Sequence, residues 1–197
     1  MTYDEFRTFA QENDGYYEFI DGKPLLMTMP LLRHGDAEFN LHDILRGYFC
    51  NKKCVLYPSP FDVKLSSSIN VYQPDFCVIC FPEDVTDNGY FGAPDLVIEI
   101  LSPSTAYIDY GIKKIDYLSN GVREYWIVDP SYKFIEVWNG LDSVVIYKDN
   151  DILSSLIFSD LSFDISMVFD KKGNMKVSEY LFNLLAKIFL PGRSDSI

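Results

Sequence analysis

A glutamate inside an otherwise apolar run constrains this chain more than any other feature. Residues 96–101 are Leu-Val-Ile-Glu-Ile-Leu, with Pro94 before them and Ser102-Pro103 after them. A short apolar run between prolines predicts a buried β-strand. Because an unpaired carboxylate in a sheet core costs several kcal/mol, Glu99 requires a cation, hydrogen-bond donors or a metal ion.

The residues that follow predict a helix and a second buried strand. The helix is expected over residues 107–119, where Asp109 and Lys113 are four positions apart and therefore lie on one face. Residues 124–128 form another apolar run, which ends before Pro130. The segment thus predicts a strand–helix–strand unit that carries ionisable groups where a plain core would have none.

The rest of the chain predicts further helices and strands around this unit. Capping, periodicity and turn signals give helices over residues 3–12, 32–49 and 177–189, strands over 16–20, 24–29, 53–57, 61–65, 71–81, 133–138, 144–148 and 151–159, and a polar loop over 83–92. Without a repeat or a linker, we expect one mixed α/β domain over residues 1–197, with a motif core at about 16–138 and a C-terminal hairpin and helix at 139–190.

Composition limits the class of protein. Of 197 residues 48% are hydrophobic, which suits a sizeable core, and no run approaches the roughly 18 apolar residues of a membrane span. The acidic N-terminal segment lacks the apolar core of a signal peptide, so we expect a cytoplasmic protein without a membrane partner.

Four cysteines could in principle bind zinc. Cys77 and Cys80 lie three positions apart in a predicted strand, which directs their side chains to opposite faces. A zinc site made with Cys50 and Cys54 is therefore the less favoured alternative, and buried free thiols are expected instead.

The net charge of −12 weighs against a broad electrostatic contact with nucleic acid. It leaves open a local site in which carboxylates hold a divalent cation that then meets a phosphate. Asp75, at the start of the apolar run 76–81, and Glu99 are suited to this because two carboxylates from neighbouring strands can bind Mg²⁺ or Mn²⁺ through oxygen. Lys113 or Lys114, on the following helix, could orient or deprotonate the attacking water.

Four segments carry a family resemblance. They are Tyr-Tyr-Glu-Phe-Ile-Asp-Gly-Lys at 16–23, Gln-Pro-Asp-Phe-Cys-Val-Ile at 73–79, the segment 92–105 around Glu99, and the spaced pattern from Asp109 through Lys113 to Pro130. In combination they resemble the Uma2 family (DUF820), which is similar to the PD-(D/E)xK nuclease superfamily.

The resemblance implies a fold and a set of roles. The fold would be restriction-endonuclease-like, with a mixed β-sheet flanked by helices and extra β-hairpins, and the activity would be divalent-metal-dependent DNA cleavage. Asp75 and Glu99 match the motif acids as metal ligands, and Lys113 matches the helix lysine. Glu18 matches the hairpin glutamate. Leu101 stands where the superfamily has the lysine of its Glu-x-Lys motif.

Two further residues are auxiliary candidates. His34 is on the predicted helix 32–49, with Glu38 and His42 on the same face at four-residue intervals, and related sequences often carry a histidine near this place. An exposed helix face is the alternative for these histidines. Asp109 is the second candidate, and its alternative is a surface ion pair with Lys113.

Other interpretations stay open from sequence alone. Glu99 and Lys113 could form a buried ion pair without a metal, and Asp75 could cap a turn. The chain could be a non-catalytic or partner-binding protein that retains the nuclease scaffold, or a hydrolase of another phosphate-containing substrate. The apolar stripe of the predicted C-terminal helix fits either a cover for the core or a homodimer contact.

Overall fold

A computed structural model of the chain describes residues 1–27 and 31–170. The elements of this part, in chain order, are α1 (Tyr3–Glu12), β1 (Tyr17–Ile20), β2 (Lys23–Leu26), α2 (Leu32–Phe49), β3 (Val55–Pro58), β4 (Val63–Lys64), β5 (Val71–Tyr72), β6 (Phe76–Ile79), a 3₁₀ turn (Pro82–Asp84), β7 (Val85–Thr86), β8 (Gly89–Phe91), β9 (Leu96–Ile100), α3 (Ala106–Ile108), a π-helical turn (Asp109–Lys113), α4 (Lys114–Ser119), β10 (Glu124–Asp129), β11 (Phe134–Gly140), β12 (Ser143–Lys148), β13 (Ile152–Ser154), β14 (Ser162–Asp164) and α5 (Ser166–Phe169).

A mixed central sheet holds the predicted strand–helix–strand unit. Its strand order is β12-β11-β10-β9-β6-β3, with β9 and β10 parallel and the other neighbours antiparallel. Helices α2 and α5 pack against each other and join the apolar core on one face of this sheet, while the helical segment from α3 to α4 contributes to the core on the other face. Every residue of β9 is buried, so the prediction of a fully buried strand around Glu99 is confirmed.

A second sheet with the order β2-β1-β5-β4-β8-β7 lies beside the first. The predicted hairpin of β1 and β2 is confirmed, and its turn residues Asp21 and Gly22 both have positive φ, as a tight hairpin turn requires. The predicted single strand over residues 71–81 is wrong, because it divides into β5 of the second sheet and β6 of the central sheet. Pro74 at the division has no backbone N–H to continue a ladder.

Other sequence predictions change in detail. The polar loop expected over residues 83–92 contains the 3₁₀ turn and the hairpin of β7 and β8. Gly89 in this hairpin has φ of +102°, and a Cβ there would lie 2.3 Å from the backbone oxygen of Asp62. The strand expected over 151–159 is limited to β13, which pairs with β14. The helix predicted over 177–189 lies outside the described residues.

The cysteines do not all stay free. Cys54 and Cys80 form a disulfide, Cys50 is an exposed thiol, and only Cys77 is the buried free thiol that the sequence predicted. The antiparallel pairing of β3 with β6 continues to positions 54 and 80, which brings these two residues opposite each other. This pairing depends on a register that cysteine spacing alone does not reveal.

The helices described within residues 1–27 and 31–170 are each too short or too polar to cross a bilayer.

Glu124 is a second carboxylate buried in the central sheet, and its role is structural. It is fully buried on β10 and accepts hydrogen bonds from the Trp126 indole, the Ser155 hydroxyl and the backbone N–H groups of Leu156 and Ile157. Donors therefore surround both of its oxygens, and the glutamate fixes the segment after β13 against the sheet.

We predict that Glu124→Gln lowers the free energy of unfolding by about 2–3 kcal/mol, because an amide N–H₂ would face donors in a buried site. Glu136→Gln is the matched control. Glu136 also accepts a hydrogen bond from a tryptophan indole two residues later, that of Trp138, but it is only half-buried. Glu136→Gln should therefore lower the free energy of unfolding by less than about 1 kcal/mol. Urea denaturation measures both changes, and equal losses would contradict the assigned role of Glu124.

Candidate active site

An acidic pocket lies between the β1–β2 hairpin, the start of α2, the end of β9 and the helical segment from α3 to α4. Its volume is about 350 Å³. All six candidate residues from the sequence line it, namely Glu18, His34, Asp75, Glu99, Asp109 and Lys113. The fold therefore assembles residues that are up to 95 positions apart in the chain.

The ammonium group of Lys113 is at the centre of a buried charge cluster. Its Nζ lies 2.9 Å from Glu18 Oε1, 3.1 Å from Glu99 Oε1 and 3.3 Å from Asp109 Oδ1. Burial lowers the pKa of Lys113, but the three carboxylates more than reverse this, so its pKa lies well above 10.5. Lys113 is therefore a permanent cation at neutral pH.

Glu99 is held by donors on one oxygen only. Its Oε1 accepts from Lys113 and, at 3.2 Å, from the Tyr117 hydroxyl. Burial raises the pKa of Glu99 well above its usual value, Lys113 counteracts this, and the neighbouring carboxylates add to the increase. The buried ion pair between Glu99 and Lys113 is therefore present, but Lys113 also contacts Glu18 and Asp109 and is shared among the three acids.

A π-helical turn carries both Asp109 and Lys113 into the pocket. Such turns are rare and occur frequently at functional sites. Both residues are buried, which excludes the alternative of a surface ion pair. Burial raises the pKa of Asp109 to about 6, Lys113 opposes the shift, and Glu18 reinforces it.

Asp75 lies at the corner between the two sheets. Its Oδ2 accepts a hydrogen bond of 2.6 Å from the backbone N–H of Ile100, the residue after Glu99. Asp75 thus fixes β6 to β9 instead of capping its own turn, and this contact brings it beside Glu99. On the same corner, the N–H of Gln73 donates to Glu18 Oε1 at 2.9 Å.

His34 and Glu38 complete the acidic side of the pocket. His34 is buried, which contradicts the exposed-face alternative, and its Nε2 lies 3.4 Å from Asp75 Oδ1. Burial lowers the pKa of His34, but the hydrogen bond and negative charge of Asp75 act in the opposite direction, and the net shift is upward. The Nδ1 atom has no hydrogen-bond partner among the described residues and lies 3.8 Å from Glu38 Oε2. His42 is not among the residues that line the pocket.

Glu38 lies four positions after His34, and this spacing was the only signal in the sequence for a residue to which no role was assigned. Its pKa is raised, chiefly by burial and also by Asp75.

Leu101, at the position of the lysine in a Glu-x-Lys motif, packs in an apolar cluster of the core. The lysine that contacts Glu99 is Lys113. Lys114, the other lysine considered from the sequence, does not line the pocket, and its Nζ lies 3.8 Å from the ring centre of Trp138.

This architecture defines a mixed α/β protein of the nuclease-like fold class. A solved structure of "a putative nuclease belonging to DUF820" from Anabaena variabilis aligns with a TM-score of 0.74 at 20% identity, covering 86% of this chain and 97% of that chain. It shows the fold, as the sequence predicted.

The family follows from the sequence comparison. The model of the Uma2 family, described as "Putative restriction endonuclease", matches residues 3–166. The chain therefore belongs to the Uma2 family, and the resemblance seen in its motifs is confirmed. The "Uncharacterized protein slr1290" of Synechocystis sp. is 24% identical over 171 residues, which cover 84% of this chain and 90% of that protein.

We predict that Lys113→Met lowers the free energy of unfolding at pH 8 by about 3–5 kcal/mol, because it leaves three buried carboxylates without their cation. The loss should be smaller at pH 5, where protons bind Glu99 and Asp109, whose pKa values are raised. Lys114→Met, one position away and outside the cluster, should cost less than about 1 kcal/mol at either pH. Urea denaturation at both pH values checks this, and a pH-independent loss for Lys113→Met would contradict it.

A second prediction concerns Asp109. A raised folded-state pKa means that the folded protein binds the proton more tightly, so the contribution of Asp109 to stability falls as pH rises from about 4 through about 6. Between pH 5 and pH 8 in metal-free buffer, the free energy of unfolding of Asp109→Asn should therefore rise relative to that of the wild type by about 1.4 kcal/mol. Thermal unfolding across this range measures the difference, and a constant difference would rule out the shifted carboxyl.

Proposed function

We propose that the protein is a divalent-metal-dependent nuclease that hydrolyses phosphodiester bonds in DNA. The observation that supports this most is the charge imbalance of the pocket. Five carboxylates line it, from Glu18, Glu38, Asp75, Glu99 and Asp109, against one lysine and one histidine. A half-buried site with this excess of negative charge favours the binding of a further cation.

The donor chemistry fits Mg²⁺ or Mn²⁺. These ions take carboxylate oxygens and retain several waters, so two protein ligands can suffice. Asp75 Oδ1 and Glu99 Oε2 are the oxygens not committed to Ile100 or Lys113. In the described part of the chain, no group of three or more His, Cys, Asp or Glu side chains is arranged to hold a metal ion, so water would have to supply the remaining ligands.

The residues would divide the chemistry among them. A bound Mg²⁺ or Mn²⁺ supplies Lewis-acid stabilisation of the charge that develops on the phosphoryl oxygens. Asp75 and Glu99 would hold the ion, and Glu18 would keep Lys113 in place. Because Lys113 is charged, it would stabilise negative charge or orient the attacking water by donating to it, and would not remove the proton from that water.

His34 and Asp109 would act as auxiliary groups. His34 lies against Asp75 and would orient that carboxylate, and Asp109 would hold Lys113 from the helix side. One observation favours the alternative of a non-catalytic protein on the same scaffold. Lys113 already contacts three carboxylates, so its charge is compensated without a substrate phosphate.

Calorimetry with Mn²⁺ distinguishes these alternatives. We expect wild-type protein to bind Mn²⁺ and Glu99→Gln to lose at least ten-fold in affinity, because one ligand charge is removed. Glu136→Gln, outside the pocket, should bind as the wild type does. Where Mn²⁺ binds, Lys113→Ala should reduce DNA cleavage by at least 100-fold. Failure of the wild type to bind Mn²⁺, with and without DNA, would falsify the catalytic assignment.

A further inference from the structure

One wall of the pocket is apolar. The hairpin contributes Tyr16, Leu25, Leu26 and Met27, and the helical segment contributes Ile108. Tyr16 is 61% exposed although its backbone is fixed by a hydrogen bond from the Met27 N–H to its carbonyl oxygen. An aromatic ring on a fixed backbone therefore faces the same cavity as the carboxylates.

The pocket lacks the basic side chains that hold a duplex. Among the described residues that line it there is no arginine, and Lys113 is the only lysine. That lysine is already engaged by Glu18, Glu99 and Asp109. Contacts between Lys or Arg and the phosphates supply a large share of the affinity of proteins for duplex DNA, and the described lining of this pocket offers no lysine or arginine outside the carboxylate cluster for such contacts.

Building on the proposed function, we propose that the substrate is single-stranded DNA, of which one unpaired base stacks on the wall at Tyr16 while its phosphate meets the carboxylate side. Base–aromatic stacking needs no basic side chain and is available to every base. The volume of about 350 Å³ is at the small end of ligand pockets, which suits one nucleotide.

The test compares a fluorescein-labelled single-stranded oligonucleotide with its duplex. Anisotropy with Ca²⁺ measures binding, and gel assays with Mn²⁺ measure cleavage. We expect at least ten-fold tighter binding of the single strand and a log–log salt slope shallower than about −3.

Tyr16→Ala should weaken binding of the single strand about ten-fold or more. Tyr16→Phe should retain it, and Tyr132→Ala, at an exposed tyrosine outside the pocket, should leave it unchanged.

The two readouts separate this inference from the proposed function. Duplex binding as tight as single-strand binding, a steeper salt slope, or an unchanged Tyr16→Ala overturns the inference, even if Mn²⁺-dependent cleavage is found. Absence of binding to either substrate also overturns it. Single-strand binding that depends on Tyr16, without any cleavage, removes the nuclease assignment and supports the inferred binding of single-stranded DNA as a ligand of the pocket.

Discussion

The contacts of the Lys113 ammonium group are the interaction on which the rest of this structure depends. They join the second sheet, through Glu18, to the central sheet, through Glu99, and to the helical segment, through Asp109. Because all four groups are buried, removing the cation would leave negative charges with neither water nor a partner, at a cost of several kcal/mol. One ammonium does not balance three carboxylates, however, and this imbalance is what makes the pocket suited to another cation.

The corner at residues 73–75 explains how acids from distant parts of the chain meet. Pro74 ends the ladder of β5, and the chain passes from the second sheet to the central sheet. The backbone N–H of Gln73 holds Glu18, while the carboxylate of Asp75 accepts from Ile100, next to Glu99. The break between β5 and β6 thus helps to bring Glu18 and Glu99 into contact with the same lysine, Lys113.

Two buried glutamates on adjacent strands, Glu124 and Glu99, have different surroundings. Glu124 is surrounded by neutral donors on both oxygens and does not line the pocket. Glu99 takes its donors on Oε1, and its side chain lines the pocket. The two environments suit different roles, because a satisfied carboxylate stabilises a fold, whereas one with an oxygen free toward a cavity remains available for ligands.

The sequence by itself determined the buried strand with Glu99, the helix with Asp109 and Lys113, the hairpin with Glu18, and the family, because local periodicity, turn chemistry and motif spacing carry these features. Only the tertiary structure decided that strand 71–81 divides at Pro74, that Glu38 joins the pocket, that Cys54 meets Cys80, and that Glu124 is satisfied by a segment about 30 residues later. The physical reason is that strand register and the packing of one sheet against another fix contacts between residues far apart in the chain, and local sequence preferences do not encode such distances.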